Sequence, residues 1–394
     1  MLTSCRVCSS TNLELIHQST LDHTLTSESK LRPGKLNIVL CPNCSHLMSD
    51  EGGLTDVARY YGQEYDSLLD NEESDDLYDL DSNQQPIYRS QIQLENMLRL
   101  VRLPSKGRIL DFGCGKGGFL TRFKRQNPDW ALHGFDVSER YRTFLEPITG
   151  AGNFYAGSLG EAPKGKDFDL ITMFFVAEHL IEPPLILKEI VARLTPTGLL
   201  YLTVPNVITN SIDAFLADHL SHFSTLSLTS LLHRCGLRPI VVSEHHQLGQ
   251  ITMVSTPDPE LLKSKSANFK NDTVDAYSDK IRGSVRYWVD CISRLNEFLA
   301  TRQGNGGTLA VYGAGVFGSY LAVNSGKALQ SIRCFFDQNP FKVGKEHLGK
   351  PILSPKELPH EVSDVLVGLN PGRAKEIMQQ AGLLDNPKLR FFFP

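Results

Sequence analysis

The sequence contains neither a long apolar run nor a cluster of positive charge. No stretch reaches the ~18 apolar residues that a membrane-spanning helix needs. The first residues, MLTSCRVCSSTNLEL, lack the basic and apolar segments of a secretory signal peptide. The net charge is −4 without a Lys- and Arg-rich stripe, which argues against a nucleic-acid partner. We therefore expect a cytoplasmic protein that binds neither membrane nor nucleic acid.

The length and composition indicate a folded chain of more than one domain. At 394 residues the chain exceeds the size of one ordinary core, which predicts two or three domains. Hydrophobic residues make up 41% and charged residues 21%, close to the averages of globular proteins. These proportions exclude a chain that is disordered or fibrous throughout.

Four of the eight cysteines form two pairs near the N-terminus. Cys5-x-x-Cys8 and Cys41-x-x-Cys44 are separated by 32 residues, a spacing that can bring four thiolates around one Zn²⁺. The segment is too short to build a core alone, so the metal would replace one. We predict a structural zinc ribbon over residues 1–54; a redox role is the alternative, but neither pair lies in a βαβ unit. Three nearby histidines are expected at the surface: His17, His23 and His46.

Residues 55–105 are predicted to form a lid or linker and a helix. Tyr60–Tyr65 is rich in tyrosine, and Asp66–Asp81 is acidic enough to resist burial. Apolar residues then recur at helical spacing over Gln91–Val101. We expect the tyrosines to pack together or to line a pocket from this lid.

Strand and helix patterns alternate in the remaining chain, which predicts two α/β units. The first covers residues 106–255, and the second lies within residues 256–394, after a helical connector. This alternation is typical of parallel sheets with helices on both faces. The predicted fold class is therefore α/β, with a Rossmann-like core, an N-terminal zinc ribbon and a second, C-terminal Rossmann-like α/β domain.

The densest motif is the glycine-rich turn Asp111-Phe-Gly-Cys-Gly-Lys-Gly117, which links a predicted strand to a predicted helix. Gly113 and Gly115 allow tight backbone angles and let a ligand approach without a Cβ in the way. Asp136 lies 21 residues beyond Gly115, at the end of the next strand. An acid at that place can accept hydrogen bonds from both hydroxyls of a ribose. The sequence therefore predicts a nucleoside at this loop.

The pattern Asp111-x-Gly113-x-Gly115 resembles motif I of class I S-adenosylmethionine-dependent methyltransferases, and the resemblance covers about residues 106–245. It implies that Asp111 lies near the methionine ammonium and that Gly157-Ser158-Leu159 contacts the adenine. The segment 167–179 resembles the fourth strand of the family and its Glu-His ending. The implied cofactor is S-adenosylmethionine, and the residues expected to bind it are Asp111, Gly113, Gly115, Asp136, Ser158 and Phe174.

Methyl transfer requires a base wherever the accepting atom must first lose a proton. Histidine is suited to this because its ordinary pKa is near neutrality. Three histidines follow predicted strands: His179, His219 and His222. The segment Asp218-His219, shortly before Phe223-Ser224, is the leading candidate, and His179 is the second; capping or packing is the alternative role for each.

The zinc pairs, the methyltransferase core and the second nucleotide-like domain together resemble the deoxysugar C-methyltransferases. The resemblance implies methylation at C3 of a nucleotide-linked 4-keto sugar through an enolate, with Asp218-His219 in the place of the catalytic acid–His pair. The chain departs from the family at two positions, since Asp218 replaces the usual Glu and Leu216 replaces a tyrosine. O- or N-methylation of another small metabolite is the alternative.

The C-terminal half contains Gly313-x-Gly315-x-x-Gly318 after a predicted strand, and Asp337 follows the next strand. This satisfies the dinucleotide fingerprint, so an NAD(P)-binding oxidoreductase is the alternative from another class. However, the stretch beginning at Phe336 resembles the C-terminal domain of the sugar C-methyltransferases. We therefore predict a substrate-side domain in a chain that is a monomer or a homodimer.

Overall fold

The computed structural model describes residues 2–50, 54, 57–65, 75, 77–80, 85–165, 167–244, 249–258, 260–261, 273–301 and 308–394. Most of the predicted acidic lid, Asp66–Asp81, lies outside the described residues. Internal contacts divide the chain into two units. One comprises residues up to Asp22 together with Gly34–Ile281, and the other comprises His23–Pro33 and Arg282–Pro394. None of the described helices has both the length and the apolar character needed to span a membrane.

The N-terminal strands build a four-stranded antiparallel sheet with one strand from far along the chain. Asn37–Cys41 and His46–Ser49 form a hairpin, and Cys41 ends its first strand. The second strand of this hairpin pairs with Ser221–His222. The sheet order is β1-β4-β5-β13. Its strands, and the separate hairpin β2–β3, are β1 Glu14–Gln18, β2 His23–Leu25, β3 Leu31–Pro33, β4 Asn37–Cys41, β5 His46–Ser49 and β13 Ser221–His222.

This pairing overturns the predicted surface position of His46. The side chain is 0% exposed, its Nε2 lies 3.3 Å from Ser221 Oγ, and its ring packs against Phe223. The prediction was wrong because it treated the ribbon as an isolated module, whereas β5 adds a strand from the core. His17 and His23 are half-buried.

The core of the first unit is a seven-stranded sheet in the order β10-β9-β8-β11-β12-β15-β14. Strand β15 alone runs antiparallel to its neighbours. Successive strands are added on one side of β8 up to β10 and on its other side from β11 onwards, so the strand order reverses between β8 and β11. In open α/β sheets, ligands bind at such a switch point, outside the carboxyl ends of the strands. The remaining strands of this unit are β6 Leu77–Leu80, β7 Pro86–Tyr88, β8 Gly107–Phe112, β9 Trp130–Asp136, β10 Phe154–Ala156, β11 Phe168–Phe174, β12 Leu194–Pro205, β14 Arg238–Ser243 and β15 Gln250–Thr256.

The helices cover this sheet with apolar faces at helical spacing. In the helix that follows the glycine-rich loop, Phe119, Leu120 and Phe123 are buried on one side and join Trp130 and Leu132 of the sheet in one core cluster. The polar side carries Lys and Arg in the last turn, which suits the helix dipole. Among the described residues of both units, the α-helices of seven residues or more are α1 Arg89–Leu100, α2 Gly118–Gln126, α3 Arg142–Thr149, α4 Pro183–Arg193, α5 Thr225–Arg234, α6 Val274–Ala300, α7 Val316–Asn324 and α8 Ala374–Gln380.

The second unit contains a six-stranded sheet in the order β18-β19-β17-β16-β20-β21. All its pairs are parallel except β18 with β19. Its buried strands are near-continuous apolar runs, as expected for a sheet covered on both faces. The strands are β16 Thr308–Tyr312, β17 Ile332–Phe336, β18 Glu346–His347, β19 Lys350–Leu353, β20 Val362–Val367 and β21 Arg390–Phe392.

Candidate active site

The glycine-rich loop between β8 and α2 lies at the carboxyl edge of the seven-stranded sheet. Gly113, Gly115 and Gly117 have φ angles of 82°, 49° and 78°, in a region that residues with a Cβ rarely adopt. A Cβ on Gly113 would lie 2.4 Å from Val176 Cγ2, so a side chain does not fit there. Glycine is therefore required at position 113 both by the backbone angle and by the packing of Val176 against the turn.

Asp136 ends β9 and faces this loop. Its Oδ2 accepts a hydrogen bond from Gly115 N and its Oδ1 accepts one from Ser138 N, each at 3.0 Å. Burial raises the pKa of Asp136 to about 6, although the backbone donors oppose the rise. An ionised carboxylate has about four acceptor sites, so it can still accept bonds from the two hydroxyls of a ribose.

Asp111 lies one residue before the end of β8, next to the switch point. Thr172 of β11 donates its hydroxyl to Asp111 Oδ1 at 2.6 Å, and the aspartate is 3% exposed. Burial raises the pKa of Asp111 to about 7, with Thr172 opposing the shift and Asp136 adding to it. Asp136 thus destabilises the charge of the buried Asp111, and a cationic ligand would offset this effect.

The other two predicted cofactor residues lie at neighbouring strand ends. Ser158 follows β10, is exposed, and accepts a hydrogen bond from Gly160 N as an N-cap. Phe174 ends β11, with its ring 4.7 Å from the centroid of Phe119. The next residue, Phe175, has a φ of 57°, a strained value for a residue with a side chain, of the kind found at functional sites.

A second group of side chains collects around the end of β11. The turn Ala177–His179 follows that strand, and the π-helical turn Tyr60–Glu64 lies against it. The Tyr61 hydroxyl is 2.5 Å from His179 Nδ1 and 3.1 Å from Asp218 Oδ2. Because a carbonyl oxygen only accepts, the 2.9 Å contact between His179 Nδ1 and Asp218 O requires a proton on that nitrogen.

His219 lies in the same group, with its ring centroid 4.6 Å from that of His179. Its Nδ1 is 2.5 Å from Asp213 Oδ1, and His222 Nδ1 is 2.8 Å from Asp213 Oδ2. One buried carboxylate thus holds two imidazole rings. The sequence prediction had placed Asp218 as the acid beside His219, whereas the ring of His219 is held by Asp213.

The electrostatic environment of this group shifts the pKa values of His219 and His179 in opposite directions. Burial lowers the pKa of His219, but the charge and hydrogen bond of Asp213 outweigh burial and raise the value to about 10. For His179, burial and the nearby His219 lower the pKa to about 4. Although burial opposes it, the two imidazoles hold the pKa of Asp213 well below its usual range.

The structure thus brings together His179, Asp218 and His219, all three predicted catalytic candidates. It adds Asp213, Tyr61 and Glu178, which the sequence had not assigned to catalysis. Tyr61 belongs to the tyrosine-rich stretch that the sequence had placed in a lid. Glu178 is the Glu of the Glu-His ending that the sequence matched to the family without giving it a role, and Asp213 stands in no motif. The significance of both depends on what their side chains face.

The four N-terminal cysteines also come together. Cys5 Sγ is 3.6 Å from Cys44 Sγ, and Cys8 Sγ is 3.5 Å from Cys41 Sγ. Tetrahedral coordination with Zn–S bonds of about 2.3 Å requires sulfur separations of about 3.8 Å. The sulfur atoms of all four cysteines lie within 4.8 Å of one another. These four residues fit a Zn²⁺ ion.

The second glycine-rich loop, between β16 and α7, has a packing explanation. A Cβ on Gly318 would lie 1.9 Å from Gly313 O, so that glycine lets the helix approach the strand. Asp337 Oδ2 accepts a hydrogen bond from Ala314 N at 3.0 Å, and Lys342 Nζ lies 3.5 Å from the same oxygen. Lys342 therefore offsets the negative charge of Asp337, the residue that would have to accept the ribose hydroxyls of a dinucleotide.

Two family matches divide the chain. Residues 87–242 match the family described as a methyltransferase domain, and residues 270–394 match the family described as a C-methyltransferase C-terminal domain. A curated relative, the C-methyltransferase NovU of Streptomyces niveus, is 28% identical over 302 residues, which cover 71% of this chain and 69% of that protein.

Solved structures of methyltransferases resemble part of the chain. An S-adenosylmethionine-dependent methyltransferase from Mesorhizobium loti is 15% identical with a TM-score of 0.35, and the match covers 42% of this chain and 97% of that one. A TehB-like methyltransferase from Corynebacterium glutamicum is 17% identical with a TM-score of 0.33, and covers 42% of this chain and 86% of that one.

The fold, the glycine-rich loop and the methyltransferase-domain match define a class I S-adenosylmethionine-dependent methyltransferase. The predicted fold class and enzyme class are confirmed. Within that class, the match of residues 270–394 to a C-methyltransferase C-terminal domain and the similarity to NovU both support a C-methyltransferase.

We expect the affinity for S-adenosylmethionine to fall on acidification. The raised pKa values of Asp111, about 7, and Asp136, about 6, mean that both carboxyls take up protons as the pH falls from 8 to 5.5. A cationic ligand needs the ionised forms, so the dissociation constant should rise by up to about tenfold per pH unit and per protonated group. Titration calorimetry across this range measures it; a flat profile would show that neither carboxyl contributes charge to binding. Asp111→Asn should flatten the profile near pH 7.

Proposed function

We propose that this methyltransferase methylates C3 of a nucleotide-linked 4-keto sugar through an enolate. The observation that carries the proposal is the contact between His219 Nδ1 and Asp213 Oδ1 at 2.5 Å in a buried cluster. A carbon next to a ketone becomes nucleophilic only after losing a proton, so C-methylation needs a strong, oriented base. The likeness to NovU, a C-methyltransferase, supports the choice of carbon as the methylated atom.

His219 is proposed as that base. Since Asp213 accepts the Nδ1 proton, the lone pair of a neutral His219 is on Nε2, and the ring is fixed in that tautomer. Because the pKa of His219 is about 10, only the small neutral fraction acts as the base at neutral pH, and turnover should rise as the pH is raised towards that value. The same carboxylate stabilises the imidazolium that forms when the carbon proton is taken. His222, bonded to the other oxygen of Asp213, positions the carboxylate.

Tyr61 is proposed as the donor to the 4-keto oxygen, where negative charge develops. Burial raises the pKa of its hydroxyl well above the usual value, so the proton is retained at neutral pH. Leu216 offers no hydroxyl in place of the tyrosine usual in the family, and Tyr61 brings one to the cluster from another segment. In the structure this hydroxyl donates to Asp218 Oδ2 and accepts from His179 Nδ1, so a bound keto oxygen would replace Asp218 as the acceptor.

The cofactor residues are proposed in the roles that the sequence suggests. Asp136 would accept the ribose hydroxyls, Asp111 would face the methionine ammonium, and Ser158 and Phe174 would lie on the adenine side. When bound, S-adenosylmethionine supplies an electrophilic methyl group on its sulfonium. Zn²⁺ is proposed as a structural ion of the ribbon, held by Cys5, Cys8, Cys41 and Cys44.

Solvent exchange at carbon tests this proposal directly. The substrate to use is thymidine-diphosphate-linked 4-keto-6-deoxyglucose in D₂O, with S-adenosylhomocysteine bound to the protein. The protein should exchange the C3 proton of this sugar for deuterium, and NMR measures the exchange. Methylation without exchange at C3 would contradict the enolate and favour O- or N-methylation. Calorimetry with NAD(H) tests the second domain, and tight binding there would favour the oxidoreductase alternative.

A further inference from the structure

We propose that Glu178 is a proton-relay residue, which takes from His219 the proton that the base has removed from carbon. This inference rests on the proposed function, since it concerns the fate of that proton. Glu178 lies in the turn Ala177–His179, between Phe174 at the end of β11 and helix α4. Its backbone oxygen accepts a hydrogen bond from Leu220 N at 2.7 Å, which ties the turn to the segment that carries His219.

The carboxyl of Glu178 is buried without a hydrogen-bond partner. The residue is 1% exposed, and neither carboxyl oxygen bonds to any group in the described part of the chain. Buried polar groups are nearly always paired, and a carboxyl with both oxygens unpaired calls for a functional explanation. Burial raises the pKa of Glu178 to about 8, so the group can gain or lose a proton near neutrality.

The neighbours of this carboxyl are the two histidines of the cluster. Ligand-type atoms of Glu178, His179 and His219 all lie within 4.8 Å of one another. Both carboxyl oxygens have almost no accessible surface, so a substrate hydroxyl does not reach them. The charged groups that act on Glu178 are His219, Asp213 and Asp218. Its position therefore suits exchange of a proton with a ring nitrogen better than contact with a substrate.

The reaction itself produces a proton that must leave. The C3–H bond breaks, its proton goes to His219 Nε2, and its electron pair becomes the enolate, which forms the new C–C bond as the methyl–sulfur bond breaks. One proton per turnover is left on His219. Asp213 makes His219 a strong base and, for the same reason, a slow donor to water. Ionised Glu178, with a pKa of about 8 against about 10 for His219, accepts this proton far more readily than water does, and the half-buried His179 beside it links the carboxyl to the surface.

Glu178→Gln removes the titrating group at nearly constant shape. In single-turnover experiments with the keto sugar named above, the first turnover should keep the wild-type rate, whereas steady-state turnover should fall at least about tenfold. Product should therefore form in a burst that matches the fraction of chains whose His219 starts neutral, with an upper limit of one methyl group per chain. With S-adenosylhomocysteine bound, deuterium entry at C3 should slow to a similar degree, because the proton on His219 returns to carbon before it exchanges.

Matched variants separate this effect from a loss of structure. Glu182→Gln makes the same change at an exposed position four residues away and should behave as wild type. Glu178→Asp keeps a carboxyl and should retain more of the steady-state rate than Glu178→Gln. The affinity for S-adenosylhomocysteine and the melting temperature of Glu178→Gln should match those of the wild type.

Each other outcome overturns the relay. Wild-type steady-state turnover and deuterium entry in Glu178→Gln would show that the proton leaves by another route. Loss of the first turnover would place Glu178 in bond breaking or substrate binding. A divalent ion held by the wild type in addition to zinc, and lost in Glu178→Gln, would make the cluster a metal site. If the wild type itself exchanges no C3 proton, the proposed function fails and not the relay alone.

Discussion

His219→Asn is expected to reduce turnover by about 10²–10⁴-fold, the usual contribution of a general base, and to abolish deuterium exchange at C3. Asparagine can still bond to Asp213 but cannot take up the carbon proton. The cofactor residues lie at other strand ends, so the affinity for S-adenosylhomocysteine should be unchanged. Rapid-quench turnover, NMR exchange and calorimetry measure the three quantities. Turnover that stays at the wild-type level would remove His219 from the mechanism.

A pair of aspartate variants tests which acid supports this base. Asp213→Asn should lower turnover by up to about 10⁴-fold, because loss of the carboxylate leaves the ring in the wrong tautomer. It should also move the pH dependence of turnover to lower pH, since Asp213 raises the pKa of His219. Asp218→Asn should lower turnover less than Asp213→Asn does, because the Asp218 carboxylate bonds to Tyr61 and not to the ring of His219. The opposite order would restore Asp218 as the partner acid.

Cys44→Ser is expected to release the metal and to destabilise the whole first unit. Purified wild-type protein should contain about one Zn²⁺ per chain, and the variant should contain much less. The melting temperature should fall by at least about 10 °C, since a structural zinc site contributes directly to folding free energy. Turnover should fall with it, because strand β5 of the ribbon pairs with the strand that follows His219.

Elemental analysis and thermal melting check this result. Cys235→Ser is the matched control, since Cys235 is also buried but lies outside the cysteine cluster. That variant should keep its zinc. If Cys44→Ser and the wild type have equal zinc content and equal stability, the four cysteines do not hold a structural ion.

The sequence predicted those parts of the molecule whose signals are local. The glycines and the two acids Asp111 and Asp136 stand in short motifs at strand ends, so their place in the fold followed from strand and helix patterns alone. The cysteine pairs were recognisable for the same reason. In each case one stretch of chain contains both the residue and the backbone geometry that gives it meaning.

The acid–base cluster could not be predicted in the same way. Tyr61 meets His179 across 118 positions of sequence, and Asp213 lies in a short 3-10 helix without a recognisable motif. Tertiary packing alone decides that His219 turns towards Asp213 and not towards its neighbour Asp218. The burial of His46 was missed for a related reason, because the strand that covers it comes from residues 221–222.

The strand addition between the ribbon and the core limits how this enzyme can be rebuilt. Ser49 Oγ donates to His219 O at 2.8 Å, and Arg6 donates to Leu220 O at 2.7 Å. A chimera that joins this catalytic core to the ribbon of another enzyme would have to reproduce these two hydrogen bonds and the pairing of β5 with β13. Without them the graft would leave an unpaired strand edge next to the histidine, so the two segments are best transferred between enzymes as a single part.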